Sequence, residues 1–218
     1  MPSVTIKGPE ATITVGKIVC IGRNFAEHAR ELGNAVPDSP ILFMKPAGCI
    51  VPDGGTVVIP DYARECHHEV ELAVLIGKAG TKIPAEQALE HVAGYAVAID
   101  LTLRDVQNRL KEKGHPWEMA KAFATSCPLS DFVAADTVDD LDNLSLRLSV
   151  NDELRQDGTS ADMMRSVAEV IAVMSDYFTL EPGDILLTGT PAGVSQVVSG
   201  DRMEATIPGV GTLSVTVQ

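Results

Sequence analysis

Residues 67–76, His-His-Glu-Val-Glu-Leu-Ala-Val-Leu-Ile, set two carboxylates two positions apart in a run that is otherwise almost all apolar and rich in strand formers. Side chains alternate across a strand, so Glu69 and Glu71 share one face while Val70, Leu72 and Val74 occupy the other. One face packs and the other gathers negative charge. Taken alone, the stretch favours an antiparallel strand with one solvated face. The competing reading is a hard divalent cation held by oxygen ligands, because two like charges this close are costly to bury without one. A third ligand elsewhere in the chain is needed to choose the cation.

Asp100 is the candidate. It ends a second apolar run, Gly94-Tyr-Ala-Val-Ala-Ile-Asp100, which reads as a buried strand. A helix closed by Gly114 follows, with Arg104 and Gln107 three positions apart and therefore projecting together. Arginine there can grip a carboxylate in bidentate fashion, or its stem can simply lie along the helix surface. Lys121 stands near the single tryptophan, Trp117, among Met, Ala and Phe; it is a rim residue or a stabiliser of a developing oxyanion.

Earlier in the chain, Lys17–Ile21 reads as a strand ending at Gly22. Residues 24–33 read as a short helix, with Asn24 as N-cap and Gly33 as its stop. His28 and Glu31 fall on one face of it; an imidazole oriented by a carboxylate is a good general base, and a surface pair is the plain alternative. Residues 33–40 read as loop and 41–46 as a strand carrying Lys45. A helix opened by Pro84, a strand over 144–150, a turn at Asn151-Asp152 running into 153–158, and a helix over 161–178 capped by Thr159 or Ser160 follow. The strand 182–188 opens onto Gly189-Thr190-Pro191-Ala192-Gly193. That turn fits neither a dinucleotide fingerprint nor a P-loop, though its N–H groups could cradle a small anion.

A chain of 218 residues can bury a full core, and one domain is the simpler expectation. The net charge of −13 and the lack of a Lys/Arg cluster argue against nucleic acid or an anionic membrane as partner. The amino terminus lacks the pattern of a signal peptide and no run is long enough for a membrane span, so a soluble, cytoplasmic protein is expected. The four cysteines form no Cys-x-x-Cys pair, and buried free thiols are expected.

Taken in order, Gly22-Arg-Asn, Lys45-Pro46, His67-His-Glu-Val-Glu-Leu, Asp100-Leu-Thr-x-Arg-Asp-x-Gln107, Trp117-x-x-Ala-Lys121, Ser126-Cys-Pro and Leu187-Thr-Gly-Thr-Pro-x-Gly193 resemble the fumarylacetoacetate hydrolase superfamily. Each motif is weak; seven in order are strong. The likeness is greatest to the small branch holding acylpyruvases, oxaloacetate decarboxylases and oxaloacetate keto-enol tautomerases. It implies an α+β, predominantly β fold of rolled, layered sheets, with residues 1–16 a short extension and 17–218 a single catalytic domain, usually found as a homodimer. It also implies that Glu69, Glu71 and Asp100 bind Mg²⁺ or Mn²⁺. Gln107, Lys121 and Thr190 resemble the residues that touch the substrate's carboxylate and oxo groups, with Arg104 supporting them and Arg23 a further substrate-binding residue. The segment around His28 and Glu31 resembles a lid, and His67 and His68 are left as supporting residues.

The expected substrate is thus a small anionic 2-oxo acid that chelates the metal. Acylpyruvate hydrolysis, with water activated by His28 and Glu31 and the enolate stabilised by Lys121, is the first expectation. Decarboxylation or keto-enol tautomerisation of oxaloacetate, and fumarylpyruvate hydrolase or 2-hydroxyhepta-2,4-diene-1,7-dioate isomerase chemistry, are alternatives on the same site. A β-rich protein with a purely structural cation is the non-enzymatic alternative.

Overall fold

The computed structural model describes residues 2–8, 10–31, 33 and 39–218. Among the described residues strand predominates and is gathered into three sheets, the expected predominantly β, α+β class. The largest sheet runs Ala11–Thr14, Ser3–Lys7, Phe132–Ala134, Val92–Ile99, Val70–Ile76, Ile185–Leu187, Lys17–Gly22, Ile41–Pro46, with Cys127–Leu129 and Ile50–Pro52 joined at its side. A second runs Glu153–Thr159, Ser145–Val150, Arg202–Ile207, Gly211–Val217, Thr56–Val57. A small third sheet aligns Thr102–Leu103, Cys66–His67 and Gln196–Val197.

The central antiparallel pair, Val70–Ile76 with Val92–Ile99, is rich in Val, Ile and Ala and is buried on both faces. Val70, Leu72, Val74 and Ile76 enter the core that includes Leu146, Ala205 and Ile171, whereas Ala73 and Leu75 enter a second core with Ile18 and Leu187. Each buried Leu or Ile contributes roughly 1.5–3 kcal/mol, so the strand is held firmly from both sides. No face of it is solvated. The register pairs Val70 with Ile99, which brings Asp100 beside Glu69, whose carbonyl accepts the Asp100 N–H at 2.8 Å. A slip of one residue would turn the whole apolar set over, so packing fixes where the carboxylates sit.

Four α-helices are described: α1 (Ala26–Glu31), α2 (Arg104–Glu112), α3 (Glu118–Lys121) and α4 (Val167–Tyr177). Several expected boundaries move. Asn24 does not cap α1; its buried amide donates to the carbonyls of Arg165 and Thr188, both at 2.9 Å, and accepts the Arg165 N–H at 2.9 Å. The helix expected over 161–178 begins at Val167, because Ser166 and Glu169 form a capping box there. Thr159 caps only the short 3-10 turn Ser160–Asp162. The helix after Pro84 is a 3-10 helix, Ala85–His91. Asn151 and Asp152 take φ of +50° and +66°, the left-handed values of a tight hairpin, and so continue the chain into strand Glu153–Thr159 where a turn was expected. Gly33, expected as a helix stop, has φ +66°, while residues 34–38 of the expected loop and Leu32 lie outside the described residues. All four cysteines are buried and free, and no described helix is long and apolar enough to cross a membrane.

Candidate metal centre and active site

Strand Val70–Ile76 and the residue just before it present Glu71 and Glu69, and the end of Val92–Ile99 presents Asp100. One carboxylate oxygen from each of the three lies within 4.8 Å of the others, and all three residues are at least 96% buried. At such distances each ionised pair repels by about 3–4 kcal/mol at an effective dielectric constant of roughly 20. Three pairs together rival the net stability of a whole domain, so the cluster requires cations.

Three are built in. The Lys121 ammonium, from the last turn of α3, lies 2.8 Å from Glu69 Oε2 and 2.7 Å from Asp100 Oδ2. Arg104, from the first turn of α2, donates to Glu69 Oε1 and, at 2.7 Å, to Gln107 Oε1. Lys45, fully buried on strand Ile41–Pro46, is 2.8 Å from Asp100 Oδ1. That last contact is charge against charge without hydrogen-bond geometry, because the ammonium is engaged by the Lys121 and Ser126 carbonyls and the Ser126 hydroxyl. Asp100 Oδ1 is accordingly a buried acceptor with no hydrogen bond.

The three carboxylates are not equivalent. Burial acts to raise the pKa of Glu69, but Lys121 and Arg104 overcome it and hold the group well below the usual carboxylate range. For Glu71 burial is reinforced by Asp100 and Glu69, and the pKa stands well above the ordinary value; its protein donor is the Gly189 N–H at 2.6 Å. A divalent cation among the three would reverse that. The donor set is entirely carboxylate oxygen, which suits Mg²⁺ or Mn²⁺ and not a thiolate-seeking metal. The unsatisfied Asp100 Oδ1 and the raised Glu71 fit such an ion.

Around the carboxylates the pocket is lined by donors. Gln107 spends its Oε1 on Arg104, so its amide N–H groups are the end left for a ligand. Arg23 lines the pocket as well. Its φ of +58°, which costs a non-glycine residue about 1–3 kcal/mol, turns the chain out of strand Lys17–Gly22 toward α1. Lys111 lines the pocket from α2, one turn beyond Gln107 and two beyond Arg104 on the same face; burial and then the charges of Arg23 and Arg104 lower its pKa. Phe43 and Trp117, whose ring centres are 6.0 Å apart, complete the wall, and the Lys121 ammonium sits 4.9 Å from the Phe43 centroid.

α1 lies over this pocket with His28 only 5% exposed. Burial lowers the His28 pKa, which favours the neutral imidazole that can take a proton. Its Nδ1 stands 3.7 Å from Glu31 Oε2, too long for a hydrogen bond, and Glu31 in turn accepts the Gly193 N–H at 3.1 Å. Thr190 reaches the pocket from the same turn. His67 and His68 stay off the carboxylates' open side: burial and then Arg104 lower the His67 pKa to about 4, and His68 bonds Gln156 and Ser195.

Of the residues expected at the site, all but Glu31 line one pocket, and Glu31 stands behind His28. Sequence reasoning gave no role to Lys45, Lys111 or Gln156. Lys45 left one signal, a charge closing the apolar run Ile41–Met44, and Lys111 left another, its place four residues past Gln107 on the same helical face.

Over residues 17–218 the chain matches the family described as Fumarylacetoacetate (FAA) hydrolase C-terminal. It is 50% identical over 196 residues to oxaloacetate tautomerase YcgM of Escherichia coli (strain K12), covering 89% of this chain and 90% of that protein. It is 47% identical over 201 residues to the mitochondrial oxaloacetate tautomerase FAHD1 of Bos taurus, covering 92% and 91%. The crystal structure of fumarylpyruvate hydrolase from Pseudomonas aeruginosa in complex with Mn²⁺ and pyruvate superposes with a TM-score of 0.94 at 43% identity, covering 99% of this chain and 95% of that one. With the fold, the carboxylate cluster and these likenesses in agreement, the chain belongs to the fumarylacetoacetate hydrolase family.

Proposed function

We propose that this protein is a divalent-metal-dependent enzyme that interconverts the keto and enol forms of oxaloacetate. The observation that carries the reading is the buried triad of Glu69, Glu71 and Asp100 opening onto a pocket lined by donors and cations. Those three would hold Mg²⁺ or Mn²⁺, which supplies Lewis-acid polarisation of the 2-oxo group when bound. Gln107 and Thr190 then donate to the substrate's carboxylate and oxo oxygens. His28, kept neutral by its burial, takes the proton from C3; the C–H pair becomes the C2–C3 double bond and the carbonyl pair moves to oxygen. Lys121 stabilises the charge that develops there, and proton transfer to that oxygen completes the enol.

Oxaloacetate moves ahead of a neutral-tailed acylpyruvate for two reasons. The relatives at 47–50% identity are oxaloacetate tautomerases, and Arg23 and Lys111 place two further cations on the wall where a second carboxylate would lie. Hydrolysis of an acylpyruvate stays as the second reading, favoured by the His28 and Glu31 pair, which is also the equipment for activating water. Residues 17–218 act as the catalytic domain, with the hairpin Ser3–Thr14 extending its sheet. A homodimer in the cytoplasm accompanies this reading; exposed Tyr62 and Met119, joined by the Tyr62 hydroxyl to the Met119 carbonyl at 3.2 Å, offer it an apolar face.

The decisive measurement is decay of enol-oxaloacetate absorbance with Mn²⁺, compared with the chelated protein and with pyruvate release from acetylpyruvate. The reading expects metal-dependent tautomerisation exceeding acetylpyruvate cleavage; equal rates after full chelation sink it. In a calorimetric titration Glu71→Ala should show no Mn²⁺ uptake, and unchanged affinity removes Glu71 as a ligand.

A further inference from the structure

One buried amide ties the Thr190 turn to the strand that carries the carboxylates. Gln156, on Glu153–Thr159 of the second sheet, is fully buried. Its Oε1 accepts the Val70 N–H at 3.0 Å, and its Nε2 donates to the Pro191 carbonyl at 2.9 Å. Both partners are backbone groups whose roles cannot be exchanged, so the amide has a single orientation. An amide nitrogen accepts no hydrogen bond. The 2.8 Å contact between Nε2 and Thr190 Oγ1 therefore has the hydroxyl as acceptor.

The same logic extends to His68. Oε1 only accepts, so His68 Nδ1, 2.9 Å away, carries a hydrogen, and Nε2 is left to accept from the Ser195 hydroxyl at 2.9 Å. Protons are thereby placed along Ser195, His68 and Gln156, and the one still to be placed is that of Thr190. Among the described residues Gln156 is the hydrogen-bond partner of that hydroxyl, and Thr190 lines the pocket beside Glu71 and Gly189.

We infer that Gln156 is a positioning residue: by donating to Thr190 Oγ1 while occupying the Pro191 carbonyl, it turns the Thr190 O–H into the pocket as a donor to a ligand oxyanion. Without Gln156 the Pro191 carbonyl becomes a competing acceptor, and the hydroxyl turns away. This rests on the reading of the pocket as a 2-oxo acid site and adds the element that sets one of its donors.

The test is a double-mutant cycle on the Mn²⁺-loaded protein with oxalate, a planar dianion that copies the chelating end of a 2-oxo acid, read by calorimetry. Thr190→Val keeps the side-chain shape without the hydroxyl, and loss of a hydrogen bond to a charged ligand predicts roughly ten- to a hundredfold weaker oxalate binding. Gln156→Met should weaken binding by a similar factor, and the double variant should be no weaker than the worse single one. Losses that multiply, or wild-type affinity in Gln156→Met, overturn the assignment. Should Gln156→Met fail to fold, the donor role is read on native Gln156: Thr190→Ser must bind oxalate more tightly than Thr190→Val, and equal affinity of Thr190→Val and wild type overturns it. If wild-type protein with Mn²⁺ takes up no oxalate, the 2-oxo acid reading falls and this inference with it; if it binds and the cycle is additive, only this inference falls.

Discussion

At Glu71 burial and two neighbouring carboxylates act in the same direction, and only Lys121 and the Gly189 N–H oppose them. A carboxyl whose folded pKa stands above its unfolded value stabilises the fold at low pH, and that contribution is lost as the pH rises toward the folded pKa. Metal-free Glu71→Gln, which has nothing to ionise there, should therefore melt progressively higher than metal-free wild type from about pH 5 upward. One proton is worth at most about 1.4 kcal/mol per pH unit, or roughly 3–5 °C for a chain of this size. A melting difference that does not change between pH 5 and pH 8 would remove the raised Glu71 from the account. His28→Ala should slow acylpyruvate cleavage by roughly a hundredfold while sparing decarboxylation, since only the former needs an activated water; equal loss in steady-state assays excludes that division. Glu69, Glu71 and Asp100 were legible because strand alternation and a strand end are local patterns. Lys45 and Gln156 were not, since the contacts that define them join residues 76 and 34 positions apart.

Among the elements, α4 shows where local chemistry overrides periodicity. Its apolar spacing extends back to Ala161, but Ser166 and Glu169 satisfy the free N–H groups only at Val167, and the helix starts there. Ser166→Ala should cost about 1 kcal/mol, a fall in Tm of roughly 2–4 °C, and leave Mn²⁺ affinity untouched because α4 supplies no pocket residue. A changed affinity would mean that the helix is coupled to the metal centre. The hairpin at Asn151-Asp152 teaches the complementary lesson. Its residue types announced a turn, but Glu153–Thr159 is a half-exposed edge strand whose charged residues mask the alternation, so pairing with Ser145–Val150 was not visible in the segment itself. The central strands were legible because both faces had to be apolar.

For the whole molecule, a net charge of −13 is a poor guide to the ligand, because Arg23, Arg104, Lys111 and Lys121 concentrate the opposite sign in one cleft. Lys111→Met should raise KM for oxaloacetate several-fold, roughly 1 kcal/mol, and leave KM for acetylpyruvate nearly unchanged; equal shifts for the two substrates would remove Lys111 from recognition of the second carboxylate. The inner cluster has a further consequence. With all three carboxylates ionised, as a divalent ion among them requires, Lys45, Lys121 and Arg104 match them, so formal charge is balanced apart from the ion and its ligand. A doubly positive ion alone, or a doubly negative acid alone, breaks that balance; the two together restore it. Under the proposed function metal and substrate are therefore expected to be thermodynamically linked, each raising the other's affinity by one and the same factor, so that they enter as a neutral pair.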